Sequence, residues 1–250
     1  MNGSYVARIY KPETVVLNED STEVVSAKKL HKYDGAVYSK RSMNVSGGEK
    51  ADGVLTINAK NEGLDTELHL TINSGIININ SGNDGINTNE DNVSVTTIND
   101  GSLNIVCSGR TDEGDGIDSN GWIVINGGKI TLQACSTSGD STVDSDLGAY
   151  LNGGTLIGAG KMQDKIADSS QYYLRFKLGT MQFGGSYSLR DEYGVSVFDF
   201  DIQNYFTDLI ISSDNLRTGE YSIWKDYHKI ATARVQKGES NDIVKTNDEN

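Results

Sequence analysis

Short stretches in which apolar residues occupy every second position fill the middle of the chain. In one of them Leu103, Ile105 and Cys107 share a parity, and in another Ile130 and Leu132 do. A period of two predicts strands with one buried face, since successive side chains of a strand point to opposite sides. Gly, Asn and β-branched residues dominate, and no apolar stripe has the helical period, so helices are disfavoured. The pattern predicts an all-β protein.

Two motifs recur in phase along the same region. Turn sequences return every 26 or 27 residues, at Ser46–Gly48, Asn73–Gly75, Asn99–Gly101, Asn126–Gly128 and Asn152–Gly154. The second motif occurs at Glu62–Asp65, Asp84–Asn87, Asp115–Asp118 and Ser141–Asp144, with Asp34–Val37 as a degenerate earlier copy. The strands predicted around the turns are Leu68–Ile72, Ile76–Asn80, Val93–Ile98, Leu103–Cys107, Trp122–Ile125, Lys129–Gln133, Ala149–Leu151 and Thr155–Gly158. Each repeat therefore predicts three short strands, the third being the second motif itself.

A unit of three short strands cannot bury its apolar face alone, so we expect the units to stack. Each strand then pairs with its equivalent in the next turn, about 4.8 Å away, which makes a parallel β-helix. An antiparallel sandwich or barrel is the alternative for many short strands, but it does not require two motifs to keep the same phase. We predict a solenoid over residues 34–162.

The remaining residues show no repeat. Ordinary strands are predicted at Tyr172–Lys177, Val195–Ile202, Leu209–Ser212, Tyr221–Trp224 and Lys229–Val235. Residues 163–235 therefore predict a small antiparallel β module that caps the solenoid, because an uncovered last turn exposes unpaired strand edges. We expect residues 1–33 to cap the opposite end and the polar residues 236–250 to be disordered.

The net charge of −13 is concentrated within residues 52–160. An acidic chain repels phosphate backbones, so nucleic-acid binding is excluded from our expectations. No apolar run reaches the roughly 18–20 residues that a membrane span needs. Met1–Ser4 lacks both the basic and the apolar part of a signal peptide, which leaves a removed signal or an intracellular protein. We expect a monomer.

Stacking of the second motif places acidic groups in columns. Asp65, Asn87, Asp118 and Asp144 share one position of the repeat, and Glu62, Asp84 and Asp115 share another. Two carboxylates about 4.8 Å apart repel by roughly 3–4 kcal/mol at an effective dielectric constant of 20. Residues 52–160 offer only Lys60, Arg110 and Lys129 as basic neighbours.

Sites rich in hard oxygen ligands suit Ca²⁺. We therefore predict that these seven column residues bind calcium. Nearby residues that would complete the ligand shells are Glu67, Asn89, Glu90, Asp91, Asp112, Glu113, Asp140 and Asp146. The alternative is that the column residues are solvated turn residues, since Asp and Asn before Gly are common in turns. For the Asn of each Asn-x-Gly turn we favour a structural ladder along the solenoid.

Alternation also predicts which aromatic and sulfur side chains face outward. Trp122 and Tyr150 have the opposite parity to the inward Ile123 and Ile125. An exposed aromatic ring stacks well on a sugar, so both are candidate substrate-binding residues, with packing under a loop or cap as the alternative. Cys107 is predicted to point inward and Cys135 outward; this opposite parity disfavours a disulfide, and we expect free thiols.

The segments Asp84–Asp91, Glu113–Asn120, Val124–Gly128 and Asp144–Asp146 occur together in one chain. This set resembles the motifs of bacterial β-helix proteins described as carbohydrate-binding domain-containing proteins, whose fold is similar to that of polysaccharide lyases. Leu209–Tyr221 also resembles that family's ending, so the resemblance covers roughly residues 30–226. It implies a right-handed parallel β-helix, bound calcium, an extracellular or cell-surface location after removal of a signal, and binding of cellulose or pectin-like polyuronates.

Gly114–Asp118 also resembles the calcium element Asp-Asp-Gly-x-x-Asp of family nine pectate lyases, with Gly in place of the first Asp. In those enzymes a lysine further along the helix acts as base, and Lys161 and Lys165 are the nearest candidates here, one turn later. We assign no catalytic residue. The leading hypothesis is calcium-dependent, non-catalytic binding of plant cell-wall polysaccharide at the bacterial cell surface. The alternatives are a polysaccharide lyase acting on polyuronate with Ca²⁺, and a structural surface protein or adhesin.

Overall fold

The structure is a computed structural model. It describes residues 7–10, 16–20, 24–26, 29–33, 35–109, 113–137, 139, 141–164, 166–167, 169–235 and 244–246. Two short antiparallel pairs come first: β1 (Ala7–Tyr10) with β4 (Lys29–Tyr33), and β2 (Val16–Leu17) with β3 (Val24–Ser26). The rest of the predicted N-terminal cap lies outside the described residues. The part of the chain that the structure describes contains no helix with the length and hydropathy of a membrane span.

Five turns of three short strands form a parallel β-solenoid, which confirms the predicted fold. Sheet 1 contains β5 (Val37–Ser39), β8 (Leu64–Thr66), β11 (Ile86–Thr88), β14 (Ile117–Ser119) and β17 (Val143–Ser145). Sheet 2 contains β6 (Ser42–Val45), β9 (His69–Ile72), β12 (Val95–Ile98), β15 (Trp122–Ile125) and β18 (Gly148–Leu151). Sheet 3 begins with β7 (Val54–Asn58), β10 (Ile76–Ser81), β13 (Ser102–Cys107), β16 (Lys129–Gln133) and β19 (Thr155–Gly160). Strands within each set pair in parallel, so the antiparallel sandwich or barrel is excluded for this region.

The register stacks like residues on like residues. In sheet 3, Ile79 pairs with Ile57 and Ile105, and Ile105 pairs with Leu132. All four side chains are buried in one apolar column inside the solenoid. Each fully buried Ile or Leu contributes roughly 1.5–3 kcal/mol relative to an exposed one, so repetition of one inward parity supplies the core.

The glycine of the second motif lets the chain turn closely into sheet 1. A Cβ on Gly116 would lie 2.5 Å from the backbone oxygen of Thr142 and 2.9 Å from Cβ of Leu132. No side chain fits at that distance, and this explains why Gly recurs before the apolar residue of the motif.

The asparagines of the Asn-x-Gly turns form a hydrogen-bonded ladder along one edge of the solenoid. Nδ2 of Asn99 donates to Oδ1 of Asn73 (2.9 Å), and Nδ2 of Asn126 donates to Oδ1 of Asn99 (3.0 Å). Asn152 continues the series onto Asn126 (3.1 Å). These bonds confirm the predicted asparagine ladder.

The C-terminal strands join the solenoid through sheet 3. They are β20 (Tyr173–Gln182), β21 (Gly185–Arg190), β22 (Ser196–Ile202), β23 (Phe206–Ser213), β24 (Gly219–Lys225), β25 (His228–Val235) and β26 (Val244–Thr246). β23 pairs antiparallel with β19, and β20 pairs antiparallel with β23. The others form sheet 4, in the order β22-β21-β24-β25-β26, which packs over β20. Apart from β26, the predicted disordered tail lies outside the described residues.

β23 contributes side chains to two hydrophobic cores. Ile210 belongs to the core inside the solenoid, whereas Leu209 and Ile211 belong to a second core that also includes Phe206 and Tyr187. The two cores therefore share a strand. The described residues after β19 continue the winding into a partial sixth turn, with bridges from Ser141 to Met162 and from Ala149 to Ile166.

Three details differ from the sequence predictions. Cys135 is buried rather than outward, because β16 ends at Gln133 and alternation stops where the chain turns. Leu68 is only half-buried because it precedes β9 instead of lying within it. The strand β21 was not predicted at all. As predicted, Cys107 is buried and both cysteines are free thiols.

Candidate functional site

Sheet 1 brings the predicted column residues together. Its register pairs Asn87 with Asp65 and with Asp118, and pairs Asp118 with Asp144. Tyr38 pairs with Asp65 at the first turn. The side chains of these five residues point away from the core, because their neighbours in each strand, such as Ile86 and Ile117, point into it.

A second row lies in the turn before sheet 1. The N–H of Gly63 donates to the backbone oxygen of Asp84 (3.0 Å), and the N–H of Gly85 donates to that of Asp115 (2.9 Å). These bonds place Glu62, Asp84 and Asp115 above one another, as the repeat predicts.

The side chains of Asp84 and Asp115 are tied to the backbone of the next turn. Oδ1 of Asp84 accepts the N–H of Asp115 (2.8 Å), and Oδ1 of Asp115 accepts the N–H of Ser141. Each carboxylate thus satisfies a donor one turn further along. This geometry gives both residues a role in joining turns.

Glu62 and Asp65 form a buried carboxyl pair. They are 8 % and 3 % exposed. Burial, and then the neighbouring Asp65 charge, raises the pKa of Glu62 to about 9. Burial also raises the pKa of Asp65, against hydrogen bonds from Glu62 and Asn89 that favour its charged form. Glu62 is therefore protonated near neutral pH, and its carboxyl group forms a hydrogen bond with that of Asp65.

Asn87 completes this first cluster and leaves one oxygen unpaired. Its Nδ2 donates to Oε1 of Glu62 (3.1 Å), and the residue is 8 % exposed. Its Oδ1 is buried with no hydrogen-bond partner among the described residues. An unpaired buried carbonyl costs about 1–3 kcal/mol, and a bound water or cation would relieve that cost.

A second carboxyl cluster lies two turns along the same sheet. Burial, and then the charge of Asp146, raises the pKa of Asp118 to about 6. Burial, and then a hydrogen bond with Asp164, raises the pKa of Asp144 to about 7. Oδ2 of Asp164 also accepts the N–H of Ser145 (3.2 Å).

Asp164 was missed by the sequence reasoning. It lies in the partial sixth turn, after the last copy of either motif, and the Met162–Asp164 segment carries no trace of the repeat. Only the fold brings it beside Asp144.

The donor chemistry of both clusters fits calcium, since carboxyl and amide oxygens are its usual ligands. Among the described residues, no three His, Cys, Asp or Glu side chains already converge in a group that holds a metal ion. Instead, burial raises the pKa of Glu62, Asp118 and Asp144. The supporting residues Asp112 and Asp140 lie outside the described residues.

Trp122 and Tyr150 lie on the outer face of sheet 2 and are half-buried. Trp122 pairs with Gly148, and a Cβ on Gly148 would lie 3.7 Å from the Tyr150 ring. The Tyr150 ring therefore leans over the residue directly beside Trp122. Trp122 and Tyr150 thus lie two register positions apart on adjacent strands of one outer face, called here the Trp122–Tyr150 patch.

The structure describes one of the two candidate lysines. Lys161 follows β19, is half-buried, and its backbone oxygen accepts the hydroxyl of Thr207 (3.2 Å). Lys165 lies outside the described residues.

A protein-family model matches residues 6–175, and it describes a carbohydrate-binding domain-containing protein. The matched region spans more than half of the chain and contains all five turns of the solenoid. The chain belongs to this family. No curated protein and no solved structure matches it.

Membership of the carbohydrate-binding domain family confirms the resemblance seen in the motifs. Both carboxyl clusters and the Trp122–Tyr150 patch lie inside the matched region. The match ends within β20, so sheet 4 and the strand β23 lie beyond it.

Proposed function

We propose that this carbohydrate-binding domain binds plant cell-wall polysaccharide, including acidic, pectin-like sugars, without catalysis and in a calcium-dependent manner. The family supports the carbohydrate. The observation that carries the calcium is the buried, unpaired Oδ1 of Asn87 beside a pair of hydrogen-bonded carboxyl groups. The cell surface is the location that suits such a ligand.

Two groups of residues would hold calcium. The first is Glu62, Asp65 and Asn87, and the second is Asp118, Asp144 and Asp164. Asp84 and Asp115 are not assigned as ligands, because their Oδ1 atoms already accept backbone N–H groups. When bound, the ion supplies a positive charge to which both the protein carboxylates and a sugar carboxylate are attracted.

This charge resolves an electrostatic conflict. A chain with a net charge of −13 repels a polyuronate unless a cation lies between them. A calcium ion on sheet 1 would join the two acidic partners, while the rings of Trp122 and Tyr150 on sheet 2 offer a stacking surface for further sugar residues.

Binding to a polysaccharide array in calcium and in chelator tests the proposal. We expect polygalacturonate to be retained in about 1 mM CaCl₂ and released in EGTA, since calcium sites of surface modules work in the millimolar range. The double variant Asp118→Asn/Asp144→Asn should lose most of the calcium-dependent signal. Asp100→Asn is the matched control, because Asp100 is an exposed aspartate of the same solenoid at an Asn-x-Gly turn.

Equal retention in calcium and EGTA contradicts calcium bridging. Failure to retain any polysaccharide under either condition contradicts the proposed function as a whole.

A further inference from the structure

Beyond the family match, two aromatic rings project from the end of the β20–β23 pair. Gln182 and Phe206 are the last residues that the two strands pair, after a shift of register, and Phe183 and Tyr205 lie directly beyond that pair. Phe183 is 61 % exposed and Tyr205 48 % exposed. Their ring centroids lie 5.1 Å apart with an interplanar angle of 84°. The two rings therefore form an open right-angled corner.

The backbone under Tyr205 is fixed to the solenoid. Oε1 of the buried Gln133 accepts the N–H groups of Gln203 (2.7 Å) and Asn204 (3.1 Å). Nδ2 of Asn204 donates to the backbone oxygens of Cys107 and Ala134, both at 2.9 Å. Four hydrogen bonds thus hold the residues that precede the ring.

Hydrogen bonds from side chains of sheet 4 fix the backbone of Phe183. Its carbonyl oxygen accepts both the hydroxyl of Tyr187 and Nζ of Lys225 (2.8 Å). Because both rings stand on fixed backbone, a ligand that stacks on them pays little ordering entropy. Rigid, exposed aromatic rings with low ordering cost are what a binding surface requires.

Phe183 and Tyr205 are not exposed because the core lacks room for aromatic rings. Phe206, next to Tyr205, is fully buried and packs edge-on against Tyr187 with centroids 5.4 Å apart. The strand places one aromatic residue inside and the next outside, so the fold has room for an inner ring and still presents the outer pair to solvent.

We propose that Phe183 and Tyr205 form a second sugar-binding site, which stacks on the pyranose rings of a neutral polysaccharide without calcium. This proposal rests on the carbohydrate part of the proposed function. An apolar ring of a phenylalanine recognises the C–H face of a sugar and needs no cation to do so. A polyuronate would still be repelled by the acidic chain in the absence of calcium, so a neutral polymer is the ligand that fits this site.

Affinity electrophoresis in gels that contain hydroxyethyl cellulose and EGTA tests the site. We expect wild type to be retarded, and Phe183→Ala/Tyr205→Ala to bind at least tenfold more weakly, since each stacked ring is worth about tenfold or more in related stacking interactions. Tyr193→Ala is the control, because Tyr193 is 83 % exposed in a turn of sheet 4. The conservative pair Phe183→Tyr/Tyr205→Phe should restore binding.

Gels with polygalacturonate and CaCl₂ separate this proposal from the first. The alanine double variant should bind polygalacturonate like wild type. If wild type binds polygalacturonate in calcium but the double variant binds hydroxyethyl cellulose as well as wild type does, the second site is wrong and the proposed function stands. If neutral binding depends on the two rings and polygalacturonate is never bound, the calcium proposal fails instead.

Sedimentation tests whether the rings cover a second copy of the chain. A wild-type dimer together with a monomeric double variant would overturn the sugar-binding site.

Discussion

Three carboxyl groups in sheet 1 or in the turn before it hold protons at pH values where exposed carboxyl groups have lost them. Burial is the largest cause for Glu62, Asp118 and Asp144, and nearby carboxylates add to it. Without a cation, ionising these groups in the folded state is costly. The folded protein therefore binds more protons than the unfolded chain over the range between their ordinary and raised pKa values.

We predict that the metal-free protein becomes less stable as the pH rises. Asp144 titrates at about 7 instead of 3.8, and Glu62 at about 9 instead of 4.5. Their stabilising contribution is complete below the ordinary pKa and is lost as the pH climbs through the raised value. In EGTA, the thermal midpoint should fall by about 5 °C or more between pH 5 and pH 8. Asp144→Asn should flatten this dependence, and a midpoint that rises with pH in EGTA would refute it.

Calcium should reverse this trend. Its ligands must be deprotonated, so calcium binding releases protons and strengthens as the pH rises. Calorimetric scans with about 5 mM CaCl₂ should show a larger gain in midpoint over EGTA at pH 8 than at pH 5. The gain should shrink in Asp118→Asn/Asp144→Asn and persist in Asp100→Asn. An equal gain at both pH values would show that the carboxyl clusters are not the calcium ligands.

Individual residues were predictable where the repeat governs them. The positions of Asp65, Asn87 and Asp118 followed from phase alone, because in-register stacking converts equal sequence position into spatial proximity. Cys135 and Asp164 were not predictable, since one lies past the end of a strand and the other past the end of the repeat. The raised pKa of Glu62 depends on burial, which spacing does not report.

At the scale of the elements, the asparagine ladder joins each Asn-x-Gly turn to the equivalent turns before and after it. Asn126 donates to Asn99 and accepts from Asn152. The ladder runs through exposed residues, so each bond contributes only modestly, at about 0.5–1.5 kcal/mol.

We predict that Asn126→Ala lowers the free energy of unfolding by about 1–2 kcal/mol, because two ladder bonds are lost together. Urea denaturation measures the change. Asn104→Ala is the control, since Asn104 is an outward asparagine of β13 that lies outside the ladder. If both variants lose the same amount, the ladder contributes nothing beyond an ordinary surface asparagine.

Elements outside the repeat were harder to predict. β21 shows only Tyr187 and Leu189 as inward apolar residues within a run of Gly, Ser and Arg, so its alternation is too short to distinguish from a loop. The pairing of β23 with β19 could not be predicted from the sequence either, because nothing in either strand specifies an antiparallel partner from a distant part of the chain.

At the scale of the whole molecule, β23 links the solenoid and the C-terminal strands into one unit. Ile210 enters one core while Leu209 and Ile211 enter the other. Unfolding of either core exposes the shared strand and destabilises the other, so the two should melt together.

We predict a single calorimetric transition with equal calorimetric and van't Hoff enthalpies. Ile210→Ala, which opens a cavity in the solenoid core, should cost about 2–5 kcal/mol and lower that single transition as a whole. Ile223→Ala is a matched core substitution within sheet 4 and should do the same. Two separated transitions, with each variant shifting only one of them, would show that the cores unfold independently.

The irregular pairing of β20 with β23 has a further consequence for self-association. Parallel in-register strands are also the geometry by which identical chains polymerise into fibres, with each copy templating the next. At the C-terminal end of sheet 3, an incoming copy meets β20, which runs antiparallel to β23 and is interrupted by a shift of register between Lys177 and Gln182. A strand of that kind does not reproduce the solenoid's repeat for the next molecule. Because two antiparallel pairings restore the direction of the solenoid strands, it is the interrupted register of β20 that opposes fibre growth from that end.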